Sequence, residues 1–274
     1  HSEELLGRWF ADAGTRDAVF LATKGTARID DIDAVWDGDN QADWSVTSAH
    51  YVGASPAVLK DSLAGSLERL QTERIDLYYN HVDDRKTPLE DSVGTFASFV
   101  AEGRIGAYGW SNVTTWRLAQ IRAVAEANGW AQPVALQQQH SYLARRAGLR
   151  HNSIVGDEQV DYLETYPDLQ LVAYSPILKG LFSNKKKRSA DFWAMDPYWG
   201  PDAEAKLAAV DRVAEDTGAT GNQVVLAWMM ASESPRVLPL IGPRTWDQYL
   251  ECIEALDVSL TEEQLQLLNK AGAS

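Results

Sequence analysis

Cysteine is almost absent from this sequence, since Cys252 is the only one among 274 residues. That excludes an internal disulfide and favours a reducing compartment, the cytoplasm. Long apolar runs are missing too: none reaches the roughly 18 residues of a membrane span, so we expect a soluble chain with no membrane partner. Basic residues are few, and the net charge of −14 argues against nucleic acid as a partner. We predict no metal site, and the oligomeric state stays open.

A dinucleotide fingerprint is also lacking. No predicted strand is followed by Gly-x-Gly-x-x-Gly, because Gly103, Gly106 and Gly109 have the wrong spacing, which argues against a Rossmann sheet. What the chain does contain is a regular alternation of short apolar runs with amphipathic helical segments, and this predicts parallel strands joined by helices. We therefore predict an α/β fold, a (β/α)8 TIM barrel forming a single domain over residues 1–274, although only about six of the eight strands are recognisable.

Helix starts are marked by residues that cap helices. Ser and Thr accept hydrogen bonds from the first free backbone amides, and a Glu or Gln three residues later completes a capping box. Caps are expected at Ser55, Thr87, Asp202, Thr220, Thr245 and Thr261. Boxes are expected at Thr87, Thr245 and Thr261.

Polar residues follow the predicted strands at their carboxyl ends. In a parallel barrel these ends share one rim, where such folds place their active sites. The clearest case is Ile75–Asp84, where a buried strand turns polar at His81, a side chain whose ordinary pKa is about 6.5. A core histidine bonded to backbone is the alternative. Comparable positions are held by Lys24, Ser111, Asn112, Gln137, Tyr174, Ser175, Gly242 and Arg244.

Basic residues are concentrated near the end of this acidic chain. Five lie between Lys179 and Arg188, after the second-last strand, and Arg244 follows the last strand just before the helix start at Thr245. Barrels commonly bind phosphate with these two loops and a helix amino terminus. A phosphate site is therefore predicted, with a merely solvated lysine run as the alternative.

These motifs together resemble the aldo-keto reductase family. The resemblance is carried, in chain order, by Ala22-Thr23-Lys24, Ile75-Asp76-Leu77 through His81, Gly109-Trp110-Ser111-Asn112, Gln137, Ala173-Tyr174-Ser175-Pro176 and Ile241-Gly242 through Arg244-Thr245. It implies a barrel that binds NADP(H) and transfers hydride between the nicotinamide and an aldehyde or ketone, or the reverse. NAD stays open as the cofactor, because Cys252 and Gln248 stand where family members often have Asn and Arg.

The resemblance also implies roles for individual residues. Lys24 and His81 correspond to two of the family's four catalytic residues. The implied cofactor contacts are Ser111, Asn112 and Gln137 at the carboxamide, Tyr174 on the nicotinamide ring, Ser175, Leu178 and Gly180 at the pyrophosphate, Arg244 at the 2′-phosphate and Glu251 at the adenine, with Gly242 and Gln248 as further contacts. The family's catalytic aspartate and proton-donating tyrosine lie on a segment that precedes the position of Ser2 and includes the first two strands. We expect this segment to be absent from the chain.

Substrate identity and the physiological direction are not legible from the sequence. Trp36, Trp44, Tyr51 and Trp110 are candidates to line the substrate mouth, where they would stack on a sugar-like or flat cyclic substrate; packing is the alternative for each. Two other functions stay open. One is a regulatory or scaffold subunit that binds the cofactor with little turnover, and the other is a lyase that uses Lys24 as a Schiff-base amine.

Overall fold

The computed structural model describes residues 1–36, 44–189 and 191–272, and the chain divides into two compact units, His1–Leu136 and Gln137–Ser274. The strands are β1 (Ala22–Gly25), β2 (Ile75–Asn80), β3 (Ile105–Ser111), β4 (Ala135–Gln139), β5 (Gln170–Tyr174) and β6 (Val237–Leu240). The helices are α1 (Ser2–Ala13), α2 (Trp44–Thr47), α3 (Pro56–Leu70), α4 (Leu89–Ala101), α5 (Thr115–Ala127), α6 (Asp157–Thr165), α7 (Ala203–Thr217), α8 (Gly221–Met230), α9 (Trp246–Glu254) and α10 (Glu262–Lys270). No helix in these ranges combines the length and apolarity needed to cross a bilayer.

In the first unit, β1, β2 and β3 are parallel neighbours in chain order, with Lys24 opposite Tyr79 and Asn80 opposite Trp110. Successive side chains of a strand point to opposite faces. One face therefore carries Tyr78, Tyr108 and Trp110, which pack around Phe96 of α4 with ring centroids 5.2–5.9 Å away. The other face carries Lys24 and Tyr79, so the same register that buries the aromatic rings separates the lysine from them.

In the second unit, β4, β5 and β6 are neighbours in chain order, and β5 pairs with β6 in parallel, with Tyr174 opposite Leu240. Residues 177–189 and 191–201 pack against the rest of the unit, because Leu181, Phe182, Met195 and Tyr198 lie in the hydrophobic core with side chains of α7 and α8. This burial holds the segment that follows β5 in a fixed course.

Most predicted helix caps are confirmed, and two are wrong. Ser55, Thr220, Thr245 and Thr261 each accept a hydrogen bond from a backbone amide of the first turn. Thr87 does not cap α4, because the helix begins one residue later than expected, with Pro88 at its N-cap; the Thr87 hydroxyl donates to the Asp84 carboxylate at 2.6 Å. Asp202 precedes α7 without a side-chain capping bond.

Candidate active site and cofactor site

Lys24 and His81 come together at the carboxyl ends of neighbouring strands. Lys24 is the penultimate residue of β1, His81 directly follows β2, and both line a cavity of about 540 Å³ in the first unit. Burial lowers the pKa of the Lys24 amine. Burial, and then the charge of Lys24, lowers the pKa of His81 to about 4. At neutral pH the His81 imidazole is therefore neutral.

The main chain at His81 is held from both sides. The His81 amide donates to the Thr26 hydroxyl at 3.1 Å and to the Gly25 carbonyl at 3.2 Å, while the Asn112 side-chain amide donates to the His81 carbonyl at 2.8 Å. Within the described residues the imidazole itself makes no hydrogen bond. The ring is thus available to the cavity, and the hydrogen bonds of His81 are made by its main chain.

The segment after His81 is anchored by two aspartates. Asp83, whose side chain is only 5% exposed, pairs with Arg117 of α5 at 3.2 Å. Burial acts to raise the pKa of Asp84, but hydrogen bonds from Thr87 and the backbone amides of Ala54 and Lys86 outweigh it, so the pKa is lowered. These contacts restrict the main chain that carries His81.

Ser111 and Asn112 end the third strand of the same unit. Ser111 is 1% exposed, and the Asn112 side chain donates to its hydroxyl at 3.1 Å as well as to the His81 carbonyl. Asn112 has a φ of 54°, a left-handed conformation that Asn adopts more readily than most residues. The polar pair expected from the sequence therefore joins the ends of β2 and β3.

A second cavity, of about 790 Å³, lies in the second unit. Seven predicted cofactor contacts line it: Tyr174, Ser175, Gly180, Gly242, Arg244, Gln248 and Glu251. Leu178 does not line it, because its side chain is in the hydrophobic core, and only its main chain is left for a cofactor. Gln137 is buried within β4, which extends two residues beyond the predicted strand end.

Four of the five basic residues between Lys179 and Arg188 fall into two groups, and the fifth, Lys186, is exposed and does not line the cavity. Arg188 binds both carboxylate oxygens of Asp211 on α7 at 2.8 Å, and Lys185 approaches the same carboxylate at 3.4 Å, so these two cations are structural. Lys179 and Lys187 line the cavity instead. The interpretation of the run as a phosphate site therefore applies to two of its members.

Arg244 and Glu251 are oppositely charged residues in the lining of this cavity. The Arg244 guanidinium is exposed and makes no ion pair within the described part of the chain. One oxygen of Glu251 accepts hydrogen bonds from Ser183, Thr220 and Asn222 at 2.7–3.2 Å. The Gln248 side chain accepts from the Arg244 amide at 2.8 Å, which fixes the chain just before α9.

Left-handed backbone is concentrated after the strands that carry the site. Six non-glycine residues in the described ranges have positive φ, and five of them follow β1, β3 or β5: Thr26, Asn112, Ser175, Leu178 and Lys179. The sixth, Gln71, ends α3. Such conformations persist where surrounding contacts enforce them, and they cluster at functional sites. Thr26 was missed by the sequence analysis because a threonine after a strand looks like ordinary loop.

The aromatic candidates for the substrate mouth behave differently from one another. Trp110 is 1% exposed and packs on Phe96 and Tyr108, so its predicted place at the mouth is wrong. Trp36 is 40% exposed and Tyr51 half-buried, and neither lines the cavity of Lys24 and His81. The side chain of Trp44 lies outside the described residues.

The chain belongs to the aldo/keto reductase family, which it matches over residues 1–273. It is an oxidoreductase of a family that uses nicotinamide cofactors. The predicted fold class, a (β/α)8 barrel, is confirmed. The expectation that this chain lacks an amino-terminal segment is not borne out by the family match, which covers residues 1–273.

Several known proteins are similar to it. The uncharacterized oxidoreductase YrpG of Bacillus subtilis (strain 168) is 32% identical over 98% of this chain and 76% of its own length. The aryl-alcohol dehydrogenase [NADP(+)] of Phanerodontia chrysosporium is 25% identical over 98% of this chain and 68% of its own. The crystal structure of the thermostable aldo-keto reductase Tm1743 has a TM-score of 0.67 at 23% identity, covering 99% of this chain and 77% of that one.

Proposed function

We propose that this chain is an NADP(H)-dependent oxidoreductase that interconverts aldehydes or ketones and alcohols, with Lys24 and His81 as its catalytic residues. The observation that carries the proposal is that these two side chains follow adjacent strands, interact electrostatically and line one cavity. A single buried cysteine, Cys252, is compatible with a cytoplasmic protein.

The two residues suit the charge changes of carbonyl reduction. A nicotinamide, when bound, supplies the hydride. Negative charge then develops on the carbonyl oxygen, where the Lys24 ammonium stabilises it, and a proton taken from solvent completes the alcohol. His81, with its pKa lowered to about 4, stays neutral at working pH and offers one N–H to orient the carbonyl. The same groups serve the oxidation of an alcohol in reverse.

The second cavity suits a phosphorylated dinucleotide. Lys179, Lys187 and Arg244 bring three positive charges to its wall, and an ideal Cβ at Gly242 would meet no atom within 4 Å, so that wall is open to a ligand. The planar guanidinium of Arg244 matches phosphate geometry, and it supports NADP(H) over NAD(H). Arg244 and the two lysines would hold the phosphates, and Tyr174 would hold the nicotinamide ring.

We propose a flat cyclic carbonyl or alcohol as the substrate class, and a sugar-like ring is the alternative. The flat cyclic class is supported by the similarity to an aryl-alcohol dehydrogenase [NADP(+)] and to the norsolorinic acid reductase of Aspergillus flavus, 27% identical over 98% of this chain. Rates of turnover with aromatic aldehydes, cyclic ketones and sugars of similar size distinguish these two substrate classes.

The catalytic assignment is tested by following the absorbance of the reduced nicotinamide. Lys24→Met is expected to lower kcat/KM by about 100- to 1000-fold, the usual effect of removing a charge-stabilising group. Lys60→Met, on the exposed side of α3, is the matched control and should change little. Turnover by Lys24→Met within twofold of the unmodified chain would contradict the assignment, and so would borohydride trapping of a substrate adduct on Lys24. Tight cofactor binding without turnover would favour a regulatory subunit.

The cofactor assignment has its own test. Arg244→Met should raise the KM for NADPH about tenfold or more, the worth of one charged hydrogen bond to phosphate, and leave the KM for NADH nearly unchanged. Arg212→Met, on α7 outside the cavity, serves as the control. An equal loss with both cofactors would show that Arg244 does not read the 2′-phosphate.

A further inference from the structure

Thr26 combines two features that rarely occur together. It has a φ of 76°, although a threonine branches at Cβ and such residues avoid the left-handed region. It is also only 2% exposed, two residues after Lys24 and on the wall of the same cavity. A glycine would adopt this backbone conformation at no steric cost, so the threonine side chain has to be explained by its contacts.

The contacts of the Thr26 hydroxyl lie on the segment that carries His81. Its oxygen accepts from the His81 amide at 3.1 Å and from the Val82 amide at 3.3 Å. These amides are the first two beyond the end of β2. The left-handed backbone turns the Thr26 hydroxyl towards them, and Asn112, also left-handed, binds the His81 carbonyl from the other side.

The Thr26 bonds connect the two catalytic residues through a very short path. From Lys24 the chain runs through Gly25 to Thr26, and from the Thr26 hydroxyl a single hydrogen bond reaches the backbone of His81. A shift of this hydroxyl moves the His81 main chain relative to the strand that carries Lys24. We infer that Thr26 is a positioning residue, which holds the His81 imidazole in place beside the Lys24 amine.

The inference rests on the proposed function for its kinetic test, but a second readout does not depend on turnover. Positioning predicts loss of kcat with little change in the KM of the cofactor, because the residue acts on the geometry of two catalytic groups. A merely structural role predicts lower stability and an unchanged titration of His81. Imidazole signals in the proton NMR spectrum report that titration directly, with His81→Asn assigning the peak.

Three variants separate the hydroxyl from the backbone. Thr26→Gly keeps the left-handed conformation without strain and removes the hydroxyl, whereas Thr26→Ser keeps the hydroxyl. Gln71→Gly makes the same kind of change at another left-handed position, at the end of α3, which has no proposed role in the site. Urea unfolding of each variant confirms that it is folded.

The expected result is about a 10- to 100-fold lower kcat for Thr26→Gly, with the His81 midpoint moved up towards its ordinary value, and near-complete recovery in Thr26→Ser. Gln71→Gly should leave both readouts unchanged. A Thr26→Gly variant with kcat within twofold and an unmoved His81 midpoint would overturn the inference. If the unmodified chain turns over no carbonyl at all, the proposed function fails, and the His81 midpoint alone then decides the role of Thr26.

Discussion

Protonation of His140 should make the second unit sensitive to mild acid. The residue directly follows β4, its amide donates to the Tyr174 carbonyl, its ring lies 6.4 Å from that of Trp228, and burial lowers its pKa to about 4. In the unfolded chain a histidine titrates near 6.5. The unfolded state therefore binds more protons between these two values, so stability is complete above about pH 6.5 and is lost as the pH falls towards 4.

The size of the His140 effect follows from the two pKa values. Proton linkage gives a loss of about 2 kcal/mol between pH 7 and pH 5, and about 3 kcal/mol once the pH is below both values. Carboxylates with lowered pKa, such as Asp84 and Asp211, destabilise the fold in the same direction but at lower pH. The interval from pH 7 to pH 5 therefore isolates the buried histidines.

The assay is urea unfolding at pH 7 and pH 5, followed for the unmodified chain and for His140→Gln, which cannot gain a proton. The pH-dependent loss of unfolding free energy should be about 2 kcal/mol smaller in the variant. His50→Gln, at a half-buried position in the first unit, serves as the control for replacing a histidine by glutamine. If His140→Gln weakens between pH 7 and pH 5 as much as the unmodified chain, burial of a neutral His140 is refuted.

Four further substitutions test local packing and backbone conformation in the two units, each measured by urea unfolding. Arg188→Met should lower the free energy of unfolding by about 2–3 kcal/mol, because it breaks the bidentate ion pair with Asp211. A loss below about 0.5 kcal/mol would contradict this. Trp110→Ala should lower the free energy of unfolding by about 3–5 kcal/mol without changing substrate preference. Altered preference in a variant of full stability would instead support Trp110 as a substrate contact. Gly180→Ala should lower the free energy of unfolding by about 1 kcal/mol, because Gly180 has a φ of 80°. Gly242→Ala should leave it unchanged, because an added Cβ there meets no atom. Equal losses in the two variants would contradict this.

The strand ends could be predicted because buried parallel strands have continuous apolar sequences. A run that stops at Lys24 or at His81 marks where the main chain leaves the core, and parallel pairing places consecutive ends side by side. Apolar runs carry no information on which face a residue occupies, however. Trp110 was misplaced for that reason: its burial depends on contact with Phe96 of α4, which no local pattern predicts.

One charged group and one capping residue were misread for different reasons. The basic run after β5 is uniform in sequence, but Asp211 on α7 binds Arg188 and Lys185, and only Lys179 and Lys187 of the run line the cavity. That choice among partners is tertiary and no local pattern predicts it. Thr87 has the spacing of a helix cap, yet the helix begins one residue later, with Pro88 at its N-cap, and the Thr87 hydroxyl donates to the nearby Asp84 carboxylate instead.

Left-handed backbone at the strand ends was the feature least accessible to sequence reasoning. Of the residues concerned, Asn112 has some intrinsic tendency towards positive φ, whereas Thr26 and Leu178 have almost none. Each costs about 1–3 kcal/mol in isolation, so each must be enforced by contacts: two amide hydrogen bonds on the Thr26 hydroxyl, and core packing around Leu178. Because the enforcing groups come from neighbouring strands and helices, the site geometry exists only after those elements have assembled. The turns after β1 and β5 should therefore lose their shape before the strands do when stability is reduced.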